Sequence, residues 1–201
     1  LALVVSVGVA CASPDWYRAV ALVLGGIATL AVVALPVLRG YHFFGAGDSL
    51  THLGWAKDVA SGKMAAYELL YPGTHSIAIV ISEATGLPLR DGLMLMVVAF
   101  ALVFLVFVPL TVRTVTGDHR ATTFAALGGF LLLPINSISV FLLAHPTSQA
   151  ILFFPLMLFV AAKYITNVDG PNLSSFATSF GTLLALLSVA IVFVHPQQAV
   201  N

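Results

Sequence analysis

Gly45-Ala-Gly-Asp48-Ser-Leu-Thr-His52-Leu-Gly-Trp55-Ala-Lys57-Asp58 is the stretch on which the reading of this chain turns. Two acids, an imidazole, an indole and a lysine fall within it, directly after a long apolar run. Asp48 and His52 are four residues apart. On a helix that spacing puts them on one face, one turn from each other. Asp48 or Ser49 can cap a helix that runs to about Ala60, with Gly62 as its end. Leu50, Leu53, Ala56, Val59 and Ala60 then form a weakly apolar face, which predicts a helix lying on a membrane surface.

The composition around this stretch is that of an integral membrane protein. Of 201 residues, 60% are hydrophobic and 8% charged, where a soluble domain is roughly one quarter charged. The formal net charge of zero gives no basic signal for nucleic acid. The single cysteine, Cys11, allows neither an internal disulfide nor a cysteine metal cluster. The chain opens at Leu1 inside an apolar run, without a cleavable signal pattern, and stops at Asn201 just past another. That predicts one transmembrane domain cut from a longer protein.

The expected class is an all-α polytopic bundle. Apolar runs predict spans at about 1–12, 17–38, 92–112, 121–135, 148–165 and 174–194. A full span needs about 20 residues for ~30 Å of hydrocarbon. Trp16 and Tyr17 suit the headgroup level. Residues 40–90 form an outer loop with surface helices. Within it, 73–86 is short and carries Glu83, so length argues against a crossing; Glu83 is expected to face protein or water. Pro134 should kink or end its helix.

Charge argues the other way. Without a crossing at 73–86, Arg18, Arg113, Arg120 and Lys163 share one side and Arg39, Lys57, Lys63 and Arg90 the other. With a crossing, six of the eight basic residues join the Asp48 side, which would be cytoplasmic. The two rules disagree, and both topologies stand at this point. The non-crossing one gathers Asp48, His52, His75, His145 and His195 on a single face.

In order and spacing the chain resembles the amino-terminal part of the GT-C superfamily of membrane glycosyltransferases, most closely the oligosaccharyltransferase catalytic subunit. Asp48-Ser-Leu-Thr-His52 stands where that family has its first acidic motif, and Tyr71-Pro72-Gly73 follows as the family's Tyr-Pro-Gly does. Gly86-Leu-Pro88, Thr116-Gly-Asp118 and Leu132-Leu-Pro134 continue in register, over roughly residues 17–166. The family's second acidic motif is replaced by His145-Pro-Thr-Ser148-Gln149, without a carboxylate. The resemblance implies transfer of a sugar from a polyprenyl-phosphate carrier to an extracytoplasmic acceptor, and no crossing at 73–86. It also implies membrane lipids and a lipid-linked sugar as partners. The missing carboxylate points to chemistry with no metal or other cofactor, a divalent ion being the alternative.

On that reading Asp48 and His52 are the catalytic pair. A carboxylate can take a proton from a hydroxyl or steady developing positive charge, and His52 can orient it or hold a phosphate oxygen. Lys57, Tyr71, His75, His145 and His195 are the candidate substrate-binding residues. Each has a plainer alternative: a helix cap for Asp48, a snorkelling lysine for Lys57, boundary residues before prolines for His145 and His195. No nucleotide-binding fingerprint, phosphate loop or Ser/His/Asp pattern is present in the sequence. Two other functions fit the same residues. One is a transporter subunit that uses Asp48 and the histidines as an ion or proton relay. The other is a non-catalytic assembly subunit that keeps the fold.

Overall fold

The computed structural model describes residues 15–45, 47–135, 143–166 and 178–196, and every regular element among them is helical. The expected span at 1–12, Cys11 and the turn at 167–172 lie outside the described residues, as does most of the 136–147 loop. In chain order the helices are α1 (Asp15–Val33), α2 (Leu35–Leu38), α3 (Asp48–Ala60), α4 (Pro72–Thr85), α5 (Leu89–Thr116), α6 (His119–Ile135), α7 (Pro146–Thr166) and α8 (Ser179–Val194). A 3₁₀ turn, Ala66–Glu68, precedes α4.

Three of these helices are long and apolar enough to cross a membrane: α1 over Trp16–Val33, α5 and α7. α6 has 17 residues and α8 has 16, both short of that length. The run expected as one span, 17–38, is made of two helices joined through Ala34, which keeps a helical backbone. Pro36 has no N–H to offer the carbonyl of Val32, so α1 stops at Val33 and α2 resumes beyond Ala34. Exposed apolar side chains cover the outer faces, among them Val23, Leu24 and Ile27 on α1 and Leu186, Val189 and Phe193 on α8. Apolar surface of that extent calls for an apolar surrounding.

α5 is the centre of the packing and touches α1, α4, α6 and α7. Its inner residues Leu93, Met96, Phe100 and Leu105 meet Phe130 of α6 and Leu152 of α7. Gly92 lets α4 approach closely: a Cβ there would stand 2.6 Å from the Ala78 carbonyl oxygen. α4 is thus seated on the opening turns of α5. The first turn of α7 meets the residue that ends α8, through Thr147 Oγ1 and His195 Nε2 at 3.0 Å.

α3 differs from its expected form at two points. Asp48 and Ser49 do not cap it. Gly47 is the N-cap, at φ 56°, a left-handed conformation natural to glycine, and Asp48 is the first helical residue. Gly62, at φ 74°, does follow the helix end at Ala60. The inner face is not the expected apolar stripe. It consists of Ser49, His52, Leu53 and Ala56, all buried, whereas Leu50 is 52% exposed. The face is half polar because its neighbours are imidazoles.

Candidate functional site

Four segments bring their polar residues to one place. α3 supplies Asp48, Ser49 and His52, and α4 with the residue before it supplies Tyr71 and His75. The turn into α7 supplies His145 and Thr147, and His195 comes from the end of α8. His145 precedes Pro146, the first helical residue of α7, where a missing N–H costs nothing. His195 closes α8, its N–H on the Ile191 carbonyl at 2.8 Å.

His52 is at the middle of the site and is 2% exposed. Its Nδ1 lies 3.1 Å from Nε2 of His75. Its Nε2 lies 3.4 Å from Oδ2 of Asp48, whose side chain is 67% exposed. The ring of His145 is 6.1 Å away between centroids, and its Nε2 is 2.7 Å from the Ser49 hydroxyl. His75 Nδ1 donates to the Tyr71 carbonyl at 2.7 Å. The Tyr71 ring stacks on His195 at 4.9 Å and 14°. Trp55 sets its edge against His52 at 5.3 Å.

The candidate residues therefore separate. Asp48, His52, Tyr71, His75, His145 and His195 are together. Lys57 is exposed on the outer side of α3 and joins none of them. Glu83 is exposed on α4, away from the cluster. Ser49, expected only as a possible helix cap, and Thr147, given no role by the sequence, are each the hydrogen-bond partner of a histidine. Thr74 Oγ1, Gln149 Oε1 and His195 Nδ1 are buried and have no hydrogen-bond partner among the described residues. An unpaired buried polar atom costs about 1–3 kcal/mol, and each one calls for a physical reason, water among them. Among the described residues no three His, Cys, Asp or Glu side chains are set to hold a metal ion.

Burial dominates the electrostatics. It pushes the His52 imidazole down from 6.5 to about 4, with Asp48 pulling upward and His75 and His145 adding to the fall. Burial also lowers His75, opposed by its bond to the Tyr71 carbonyl, and lowers His195. At neutral pH His52 is therefore neutral, and its approach to Asp48 is not an ion pair. An unfolded histidine takes up its proton near 6.5, so between that pH and about 4 the unfolded chain binds more protons than the folded one. The stability His52 gives is complete above about pH 6.5 and is lost as pH falls toward 4, on the order of 3 kcal/mol in all. Thermal unfolding in detergent should show a midpoint that falls from neutral pH to about pH 4.5, and falls less in His52→Gln. His75 and His195 act in the same sense, so part of the drop should persist. Equal drops in both proteins would refute this assignment.

Comparison of the chain with family models, with curated proteins and with solved structures found no match.

Proposed function

We propose that this chain is part of a GT-C-like glycosyltransferase that moves a sugar from a polyprenyl-phosphate carrier to an acceptor outside the cytoplasm. On this reading α1, α5, α6, α7 and α8 belong to a multi-pass bundle in the cell membrane, and α3 and α4 lie at its outer surface. The observation that carries the proposal is the pairing of an exposed carboxylate, Asp48, with a buried neutral imidazole, His52, at one end of an apolar bundle. A proton acceptor at the water boundary, beside lipid, suits transfer from a lipid carrier to a water-borne hydroxyl. Arg39 adds support. It edges a mostly apolar groove of about 190 Å³ with Leu35, Pro36, Tyr41 and Phe44. A cation beside apolar walls matches a phosphate joined to a hydrocarbon chain.

In the reaction the acceptor oxygen attacks the anomeric carbon, its proton passes to the Asp48–His52 pair, and the bond from that carbon to phosphate breaks. The configuration inverts and lipid phosphate leaves. The missing carboxylate in 136–148 supports a mechanism without metal. The full-length protein in liposomes, given a polyprenyl-phosphate hexose with label in the sugar, should release lipid phosphate and transfer the sugar or hydrolyse it to free hexose. EDTA should not stop it.

One observation favours a second reading, a proton relay in a transporter. The His52–His75 hydrogen bond joins two imidazoles in a line. Sugar release without proton flux supports the transferase. Proton flux across the same liposomes, without sugar release, supports the relay and defeats the transferase.

A further inference from the structure

A backbone carbonyl accepts hydrogen bonds and cannot donate them. The 2.7 Å contact from His75 Nδ1 to the Tyr71 carbonyl oxygen therefore fixes a proton on that nitrogen. Burial keeps His75 neutral at neutral pH, so its Nε2 carries a lone pair and no hydrogen. That lone pair faces His52 Nδ1 at 3.1 Å. The shared hydrogen must then come from His52, and His52 Nδ1 is protonated. His52 is neutral as well, so its Nε2 is bare. The bare nitrogen faces Asp48 Oδ2 at 3.4 Å. Two hydrogen-bond acceptors thus meet with no hydrogen of their own between them.

Among the described residues, the neighbouring rings do not supply one. Trp55, Tyr71 and His145 have ring centroids 5.3 to 6.1 Å from the His52 ring. His145 Nε2 is engaged with Ser49. Asp48 Oδ2 is the side-chain atom that stands beside His52 Nε2, at 3.4 Å. Asp48 is largely exposed, so the gap opens outward, while His52 behind it is almost fully buried.

We infer that the outward side of the His52 Nε2–Asp48 Oδ2 pair is a twin-acceptor site for a ligand hydroxyl, and that His75 is the positioning residue that creates it by fixing the tautomer of His52. That the hydroxyl belongs to a sugar acceptor rests on the transferase reading; the tautomer does not. The hydroxyl donates to His52 Nε2 and is oriented there beside Asp48. As its oxygen bonds to the anomeric carbon, the O–H bond breaks and the proton forms an N–H bond at Nε2. The electron pair of the breaking carbon–oxygen bond stays on the lipid phosphate. Asp48 steadies the imidazolium so formed and passes its proton to water.

Nitrogen-15 histidine NMR of the full-length protein at neutral pH tests this directly, with His52 assigned by loss of its signals in His52→Gln. In the wild type the proton should sit on Nδ1 and Nε2 should be bare. In His75→Leu the partner for Nδ1–H is gone, so the proton should move to Nε2 and point at Asp48. His75→Gln keeps an oxygen that can accept, and should restore the wild-type tautomer. Glycerol, as a plain hydroxyl donor, should shift the bare Nε2 resonance in the wild type and in His75→Gln, and leave His52 unmoved in His75→Leu. A wild-type His52 with its proton on Nε2 overturns the inference, and so does a wild-type Nε2 that ignores glycerol. If His75→Leu does not fold, the wild type and His75→Gln carry the test. None of these signals depends on sugar transfer, so failure here and failure of the transferase reading are told apart.

Discussion

Asp48→Asn is expected to leave the fold intact and, on the transferase proposal, to lower sugar transfer by two or more orders of magnitude, the usual scale for a lost proton acceptor. The structural cost is small. Asp48 is the first residue of α3 and 67% of its side chain is exposed. Losing a charge from the first turn of an exposed helix costs about 0.3–1 kcal/mol. The chemical cost is large for two reasons. The charge that would steady a protonated His52 is gone. The new amide also has N–H groups, and it can donate one to His52 Nε2 and occupy the very place an incoming hydroxyl needs. Asp58→Asn, ten residues along the same helix, changes the same charge far from the imidazoles and should leave transfer near the wild-type rate. Melting curves and transfer rates measured on the three full-length proteins decide it. A folded Asp48→Asn protein with wild-type transfer removes Asp48 from the chemistry.

Gly92→Ala and Gly54→Ala should move stability in opposite directions. Both glycines are helical, and alanine is better in a helix by about 1 kcal/mol. At Gly54 nothing lies within 4 Å of the new Cβ, so the variant should keep that gain. At Gly92 the new Cβ would stand 2.6 Å from the Ala78 carbonyl oxygen and 3.3 Å from Ser82 Cβ. Both belong to α4, whose backbone cannot yield without moving the whole helix. Overpacking of this kind costs about 1–3 kcal/mol. The wild-type midpoint should fall between those of the two variants. Because α4 carries His75, Gly92→Ala should also weaken transfer. Equal midpoints would mean that α4 can slide on α5 at no cost.

These contrasts mark what a reader of the sequence could and could not see. The runs that became α1, α5 and α7 were plain from length and hydropathy, because crossing hydrocarbon leaves few alternatives. Pro146 at a helix start and Gly62 past a helix end were local signals, and local rules sufficed for them. The step from α1 to α2 before Pro36 is a local proline effect inside a continuous apolar run. The face of α3 was misjudged for a different reason. Leu50 reads as an inward residue only while the partner of the helix is unknown; opposite the buried face stand His75 and His145 as well as the apolar core that Leu53 and Ala56 join. Ser49 carried no signal beyond a possible helix cap, and Thr147 carried none. A serine 96 positions from its histidine, or a threonine 48 positions from one, becomes meaningful only when packing brings the two together. The histidines themselves stood out because imidazoles are rare in such a chain; which of their atoms met was beyond any spacing rule.

The Tyr71–His195 stack has a consequence in time. A ribosome adds about 5–20 residues per second, so roughly 7–30 s separate the synthesis of His52 from that of His195. During that interval α3 and α4 exist without the end of α8, and the ring of Tyr71 has no partner to stack on. His52 and His75, only 23 positions apart, can meet early; His145 and then His195 arrive in turn. The nascent chain must therefore keep a half-built polar cluster wet, or sheltered by other proteins, until α8 has been made and packed. A substitution that delays the packing of α8 would harm the site without touching any residue in it.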